Sequence, residues 1–344
     1  MDLMHKPVFI LGSHKSGTSL LRNLLDGVDD FFVIPIELHF FEFAGLWVDY
    51  QIRRSLPTDP GFDQVMKRIL TAVERSNQRS ARDGKFGGDS LLDAGKWDIP
   101  LLREHLVQSA KPAFENKDLK GFIDAYIEAI HLGLRGELPP AGTRFVEKSV
   151  ENAEFAPLIR KLYPDAQFIH IVRNPYAALV SIRKFKPYKG KYPYLGTFLD
   201  ALENSYYHAL RNPLVLPDYL VIRYEDLLIE PDSTLRKVAA HLNIPFNPVM
   251  KQPSALGEQW KGNSMSGKEF QGISTYPLES WKREITPLEI DLVNTLLPHV
   301  LPVFNYERLT PSASPLLPVK TETCRIYLAN RFYRASLKIR RTGE

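Results

Sequence analysis

The feature that most constrains this chain is a glycine- and hydroxyl-rich loop with one lysine, placed between a strand-like and a helix-like segment. Residues 8–11 are the apolar run Val-Phe-Ile-Leu, and leucines at 20, 21, 24 and 25 repeat at helical spacing. Between them lie residues 12–19, Gly-Ser-His-Lys-Ser-Gly-Thr-Ser. A strand, a loop and a helix in this order direct backbone N–H groups and the helix dipole at an anion. The sequence therefore predicts an anion-binding loop.

The rest of the chain alternates strand-like and helix-like segments. This alternation is typical of an α/β protein with a parallel sheet covered by helices on both faces. No internal repeat is visible. We predict strands over 145–146, 167–172 and 219–224, and helices over 59–83, 118–135, 153–163, 175–184 and 232–242.

Length and composition exclude several classes of protein. Of 344 residues, 44% are hydrophobic and 24% charged, close to the globular average, so neither a disordered nor a fibrous protein is expected. No run of about 18 uncharged apolar residues predicts a membrane span. The first residues lack the features of a signal peptide, and Cys324 is the only cysteine. We therefore expect a cytoplasmic protein without disulfides.

The positive charge is concentrated at one end of the chain. The formal net charge of +4 is too small to indicate nucleic-acid binding. The segment 325–341 contains six basic residues and no acidic one. The rest of the chain is slightly acidic. Anion binding outside the segment 325–341 therefore requires individually placed cations rather than a general positive field.

The loop differs from the Walker A phosphate loop, GxxxxGK[ST], in the position of its lysine. Gly12 and Gly17 have the Walker spacing, but Thr18 follows the second glycine and Lys15 lies inside the loop. A Walker lysine reaches the terminal phosphates of a magnesium nucleotide. The shifted lysine therefore argues against an ATPase or GTPase.

The segment Gly-x-x-Lys-Ser-Gly-Thr-Ser resembles the 5′-phosphosulfate-binding loop of PAPS-dependent sulfotransferases. These enzymes transfer the sulfuryl group of 3′-phosphoadenosine 5′-phosphosulfate (PAPS) and release 3′-phosphoadenosine 5′-phosphate (PAP). The resemblance covers roughly residues 6–308 and implies a three-layer, P-loop NTPase-like fold. It also implies that Lys15 contacts the bridging and sulfuryl oxygens. The predicted donor-binding residues of the loop are Ser13, His14, Lys15, Ser16, Gly17, Thr18 and Ser19.

A second phosphate motif strengthens the resemblance. Arg173 follows the predicted strand 167–172, and Ser181 lies eight residues later, about two helical turns along the next helix. This arrangement resembles the family's site for the 3′-phosphate of PAPS, and Tyr224 resembles its nearby tyrosine. Trp281 and Lys282 end a Gly/Ser-rich segment comparable to the family's donor-covering loop. Core packing is the alternative for both Tyr224 and Trp281.

Three further residues are candidates for the chemistry. Glu37 has apolar neighbours that would partly desolvate its carboxylate, which suits a general base. Tyrosylprotein and Golgi-type carbohydrate sulfotransferases carry a glutamate in a similar place, whereas the histidine motif of the phenol and steroid branch has no clear match. His39 is the alternative base. Lys148 resembles the family's lysine near the sulfuryl group, and no divalent metal is expected.

We divide the chain into predicted domains from its composition and from the family resemblance. We predict a sulfotransferase domain over 1–308, in which a helical region of about 40–140 builds the acceptor pocket. The proline-rich linker 309–322 leads to a basic helix over 323–344. This helix could dock on the protein, on the second subunit of a homodimer, or on an anionic membrane surface. Docking on protein is favoured because its apolar residues are not confined to one face.

The acceptor is the least constrained part of the prediction. The leading hypothesis is sulfuryl transfer to a hydroxyl of a carbohydrate, lipid or other small molecule. A basic, tyrosine-rich loop over 183–194 could close over that acceptor or be a solvated surface. A tyrosylprotein sulfotransferase is the alternative within the fold. A P-loop kinase or another nucleotide-binding protein is the alternative from a different class.

Overall fold

Within the part of the chain that the structure describes, five of seven strands form one parallel sheet. The computed structural model describes residues 5–46, 48, 60–82, 97–184, 191–262, 264, 268–312 and 322–342. The order across the sheet is β2-β3-β1-β4-β5, and β6 and β7 form a separate antiparallel pair. The strands are β1 (Val8–Leu11), β2 (Phe31–Val33), β3 (Arg144–Glu147), β4 (Gln167–Val172), β5 (Tyr219–Arg223), β6 (Ser254–Ala255) and β7 (Glu258–Gln259).

Helices connect the strands and cover both faces of the sheet. They are α1 (Thr18–Leu25), α2 (Phe40–Phe43), α3 (Phe62–Arg82), α4 (Ile99–His105), α5 (Lys111–Glu115), α6 (Leu119–Arg135), α7 (Asn152–Leu162), α8 (Pro175–Arg183), α9 (Gly196–Val215), α10 (Tyr224–Ile229), α11 (Pro231–His241), α12 (Tyr276–Glu279), α13 (Pro287–Leu296), α14 (Val300–Val303) and α15 (Cys324–Thr342). A π-helical turn joins α4 to α5 over Leu106–Ala110, and short 3₁₀ turns cover Pro248–Lys251 and Ser280–Arg283.

The central strand β1 contacts the helix layers on both faces of the sheet. All four residues of β1 are buried, and alternate side chains point to opposite faces of the sheet. Phe9 packs in the core shared with α3, α6 and α7, whereas Val8 and Ile10 pack in the core shared with α1, α10 and α11. A third core joins α8, α9, α13 and α15. The α/β three-layer architecture expected from the alternating pattern is confirmed.

Most predicted elements are present, with local differences. The strands predicted over 8–11 and 167–172 have the observed bounds. Tyr224 is the first residue of α10 rather than the last residue of β5, so the strand predicted over 219–224 is one residue too long. β2 and α9 were not predicted. β2 has only three residues, too few to show a strand periodicity.

The sheet topology places the candidate residues along one edge. Because all five strands are parallel, the segments that follow their carboxyl ends lie side by side in sheet order. From one side to the other, these segments contain Glu37, Lys148, Lys15, Arg173 and Tyr224. From β1 the chain first adds β2 and β3 on one side of the sheet and then β4 and β5 on the other. In open α/β sheets, ligands bind where the strand order switches sides in this way.

The aromatic packing around β1 predicts a large loss of stability on truncation. The Phe9 ring lies 5.6 Å from that of Phe145, 5.9 Å from Phe168, 6.3 Å from Tyr163 and 6.5 Å from Phe40 between centroids. Phe9→Ala should lower the free energy of unfolding, measured by urea denaturation, by about 3–5 kcal/mol. Phe9→Leu, which keeps most of the volume, should lower it by about 1 kcal/mol. Similar small losses for both variants would contradict this packing.

Candidate active site

The loop after β1 is held in a compact turn by its own hydroxyls and backbone. The Ser16 N–H and Oγ–H both donate to the Ser13 carbonyl oxygen, at 3.2 and 2.8 Å. Lys15 has a left-handed backbone with φ of 63°. Thr18 and Ser19 are buried at the start of α1. The predicted strand, loop and helix are therefore present, and α1 begins three residues after the lysine, at Thr18.

Both loop glycines are required by close packing. Gly12 has a φ of 145°, and a Cβ there would lie 2.6 Å from the Ile171 carbonyl oxygen. Gly17 has a φ of 109° as the residue before α1, and a Cβ there would collide with the Tyr224 ring. The loop can therefore lie against β4 and α10 only without side chains at these two positions.

Arg173 ties the second predicted phosphate site to the loop. Its Nη1 donates to the Lys15 carbonyl oxygen at 2.7 Å and to Ser181 Oγ at 3.3 Å. Its guanidinium carbon lies 4.8 Å from the centre of the Tyr224 ring. The structure thus brings Arg173, Ser181 and Tyr224 together beside the loop, as the motif spacing predicts.

Residues that no sequence motif indicated hold the end of β4 in place. The Tyr206 hydroxyl donates to the Arg173 carbonyl oxygen, and burial raises the Tyr206 pKa well above its usual value. The Asn174 N–H donates to Glu225 Oε1 at 2.9 Å, and the Tyr306 hydroxyl donates to Glu225 Oε2 at 3.0 Å. These partners are distant in sequence, so no local motif indicates them.

On the other side of β1, four ionisable side chains form a continuous chain of contacts. Lys148 Nζ donates to Glu37 Oε1 at 2.6 Å. Glu37 Oε2 lies 3.2 Å from His39 Nε2. His39 Nδ1 lies 2.6 Å from Glu151 Oε1. Because a carboxylate oxygen only accepts, His39 Nδ1 is the donor to Glu151. Lys148 and Glu37 form a cation–carboxylate pair at the other end.

These four side chains differ in accessibility. The exposed fractions are 16% for Glu37, 10% for His39, 2% for Lys148 and 0% for Glu151. Glu37 is therefore the most accessible member of this chain of contacts. Lys148, which is buried, contacts it from the protein interior. His39 and Lys148 orient the two oxygens of Glu37 from different directions.

Glu147 joins the two loops that carry these residues. Its Oε1 accepts from the Leu38 N–H at 3.3 Å and from Ser149 Oγ at 2.5 Å, and its Oε2 accepts from Asn152 Nδ2. Burial raises the Glu147 pKa to about 7, and Glu151 contributes in the same direction. This carboxyl links the loop after β2 to the loop after β3.

The comparisons with known proteins identify the family. The model described as "Sulfotransferase family" matches residues 7–248, more than half of the chain.

The chain belongs to this sulfotransferase family.

Relatives with curated names include two kinds of sulfotransferase. Carbohydrate sulfotransferase 2 of Homo sapiens is 28% identical over 202 residues, which are 46% of this chain and 38% of that protein. The match thus spans less than half of that relative. The omega-hydroxy-beta-dihydromenaquinone-9 sulfotransferase Stf3 of Mycobacterium bovis is 26% identical over 335 residues, 91% of this chain and 78% of that protein.

Among solved structures, one similar chain is the "Sulfotransferase Domain from the Curacin Biosynthetic Pathway". It is 20% identical, with a TM-score of 0.49, and the alignment covers 89% of this chain and 99% of that one.

Other predicted sulfotransferase residues lie in different surroundings. Trp281 is buried against Tyr176, with ring centroids 6.1 Å apart, and its Nε1 donates to the Leu278 carbonyl oxygen at 2.8 Å. Lys282 Nζ pairs with Glu279 at 2.7 Å on the surface. The structure therefore gives Trp281 a core role, and the donor contacts of Trp281 and Lys282 stay predictions. His14 is half-buried in the loop.

Residues 185–190 and 313–321 lie outside the described residues. They include much of the predicted acceptor-closing loop and of the proline-rich linker. The region predicted to build the acceptor pocket contains α2 to α6, but its segments 49–59 and 83–96 are also outside the described residues. The predicted domain boundaries and acceptor pocket therefore stay predictions.

Within the described residues, one group has the spacing of metal ligands. His39, Glu42 and Glu151 each offer a ligand atom, and these atoms lie within 4.8 Å of one another. However, His39 Nδ1 is already within hydrogen-bond distance of Glu151. The geometry thus favours an internal ion pair, and the expected lack of a metal requirement stays a prediction.

The buried Glu147 carboxyl predicts a specific pH dependence of stability. A carboxyl with a raised pKa binds its proton more tightly in the folded protein, so its contribution is lost as pH rises. Between its free value of 4.5 and about 7, this group should lower the free energy of unfolding by about 3 kcal/mol. Glu147→Gln keeps an oxygen acceptor and removes the titration.

Denaturant unfolding of both proteins across that pH range measures the effect. The stability difference between the original protein and Glu147→Gln should shift against the original protein as pH rises. Parallel stability curves for the two proteins would show that Glu147 does not titrate in this range.

Proposed function

We propose that this sulfotransferase moves the sulfuryl group of PAPS to a hydroxyl of an acceptor molecule and releases PAP. The observation that carries the proposal is the contact of Glu37 with Lys148 at 2.6 Å, on the same sheet edge as the Lys15 loop. This edge combines an accessible carboxylate, a buried cation and an anion-binding loop. Those are the three requirements for in-line transfer between two oxygens.

The donor site consists of two anion-binding groups beside β1. The N–H groups of the loop, the Lys15 ammonium and the N-terminus of α1 suit the 5′-phosphosulfate. The Arg173 guanidinium and the Ser181 hydroxyl suit the 3′-phosphate. A guanidinium has five N–H donors, so Arg173 can bind a phosphate while Nη1 remains bound to the Lys15 carbonyl oxygen.

The proton of the acceptor hydroxyl goes to Glu37. As that proton leaves, the acceptor oxygen forms a bond to sulfur, and the bond between sulfur and the bridging oxygen of the 5′-phosphate breaks. Glu37 is the best placed of the four linked side chains because its exposed fraction is the largest, at 16%. Lys15 stabilises the charge that develops on the leaving phosphate.

Lys148 and His39 lie beside different oxygens of Glu37. The Lys148 ammonium contacts Oε1 and stabilises the ionised, proton-accepting form, whereas His39 Nε2 lies 3.2 Å from Oε2. Lys148 is buried at the strand end next to β1, which also suits stabilisation of negative charge on the sulfuryl oxygens. Lys15 and the helix dipole can neutralise the single 5′-phosphate, so we assign no role to a divalent metal.

The names of two relatives support a proposal for the acceptor class. One relative is named as a carbohydrate sulfotransferase and another as acting on a hydroxylated dihydromenaquinone. We propose a hydroxyl of a carbohydrate or lipid-like molecule as the acceptor. A tyrosylprotein acceptor is not supported by these names, and the position of Lys15 within the loop argues against the P-loop kinase alternative. A cytoplasmic location and a homodimer stay predictions.

Glu37→Gln tests the assignment of the base. The amide keeps the size of the side chain but cannot take the acceptor's proton. Turnover with labelled PAPS should fall by about 100-fold or more, while the affinity for PAP should change little.

His39→Gln is the matched variant for this experiment. Removal of a positioning contact should lower turnover by about tenfold, less than the loss of the base itself. A larger loss for His39→Gln than for Glu37→Gln would transfer the base role to His39. Turnover near the original rate in Glu37→Gln would contradict both the base and the proposed mechanism.

A further inference from the structure

The basic C-terminal helix α15 is fixed to the body through one face. Leu337 is buried in the core formed with α8, α9 and α13. The Asn330 side chain accepts from the Leu195 N–H at 2.8 Å and donates to the Pro193 carbonyl oxygen at 3.2 Å. The Tyr333 hydroxyl donates to Asp200 Oδ1 at 2.8 Å. The helix therefore has a defined orientation, and docking on the protein is confirmed.

The opposite face of α15 carries a row of large apolar side chains in solvent. Leu328 is 64% exposed, Phe332 is 76% exposed and Ile339 is 72% exposed. Their spacing of four and seven residues places them within an arc of about 40° on the helix. We name these three residues the apolar stripe. Large apolar side chains concentrated in one row indicate an interaction surface, whereas single exposed ones do not.

Basic side chains border the apolar stripe on both sides. Arg325 and Arg340 lie on one side of the helical arc, and Arg331 and Lys338 lie on the other. No acidic residue occurs in 323–342. The surface around the stripe is therefore positively charged.

Two acidic residues of the described part of the chain lie near the helix cations. Asp291 on α13 accepts both Arg334 and Lys338, the latter at 3.4 Å. Glu322 interacts with Arg331 through charge.

We propose that this face of α15 docks on an anionic lipid surface, with the apolar stripe inserted at the boundary between headgroups and acyl chains. An apolar row flanked by cations matches a layer of negative headgroups over hydrocarbon. A second copy of this chain fits less well, because a twofold contact would bring the basic borders of both copies together. The helix would lie in the membrane plane.

Docking in the membrane plane differs from crossing the bilayer. Among the helices of the described residues, none has the length and apolar character needed to cross a bilayer.

Vesicle flotation tests the docking directly and needs neither donor nor acceptor, so its outcome is separate from that of the transfer assay. The full chain should float with vesicles of mixed phosphatidylcholine and phosphatidylserine and much less with phosphatidylcholine alone. Replacing the apolar stripe (Leu328→Gln, Phe332→Gln, Ile339→Gln) should lower the partition coefficient by about 100-fold or more. Arg325→Gln with Arg340→Gln should reduce the preference for phosphatidylserine, and added salt should do the same.

The control variant changes exposed apolar residues elsewhere. Leu214 is 84% exposed near the end of α9, fourteen residues and about 21 Å along that helix from Asp200, which contacts α15. Leu214→Gln with Val215→Gln should bind vesicles as the original protein does. Because all replaced side chains are exposed, thermal unfolding should be unchanged in every variant.

Two results would overturn the proposal. One is equal binding of the stripe variant and the original protein to anionic vesicles, or no binding by either. The other is a dimer of the original protein in light scattering that becomes a monomer in the stripe variant, which would assign the face to a second copy.

Discussion

The hydrogen bond from Arg173 to the carbonyl oxygen of Lys15 connects the two halves of the proposed donor site. It joins the end of β4 to the loop after β1 at 2.7 Å and acts on the residue whose backbone is left-handed. The same guanidinium stacks on Tyr224, whose ring occupies the space above Gly17. One arginine therefore contacts the loop, Ser181 and the ring that closes the space above Gly17. It links the lysine-bearing loop directly to the second proposed phosphate site.

On the far side of β1, charge compensation is the governing constraint. Lys148 and Glu151 are buried, and an isolated buried charge is strongly unfavourable. Lys148 contacts Glu37, and Glu151 contacts His39, so each of these two buried groups has a polar partner. The most accessible member of this chain of contacts is Glu37, the carboxylate proposed as the base. The network that allows buried ions in the fold therefore also leaves this carboxylate partly open to solvent.

Local patterns predicted the parts of the molecule that are encoded locally. β1 and β4 are short runs rich in apolar and β-branched residues, and α8 begins with Pro175 in its first turn, so their positions could be predicted. The contact between His39 and Glu151 could not be predicted, because the two residues are 112 positions apart and meet only through the sheet order. Tyr206 and Glu225 were missed for the same reason.

The apolar pattern of the C-terminal helix α15 arises from two faces with different surroundings. Its apolar residues are not confined to one face, which predicted docking on protein. In the structure, Leu337 faces the core, whereas Leu328 and Phe332 face solvent. Two apolar faces with different surroundings produce the same mixed periodicity as a helix that is buried throughout.

Calorimetric titration with PAP in the presence of a metal chelator tests the central claim, that two linked cation sites bind the sulfuryl donor without a metal. PAP should bind to the original protein under these conditions, and Arg173→Ala should weaken that binding by about 2–5 kcal/mol. ATP with magnesium should bind far more weakly than PAP. Binding of ATP only with magnesium, or an unchanged PAP affinity in Arg173→Ala, would contradict the account.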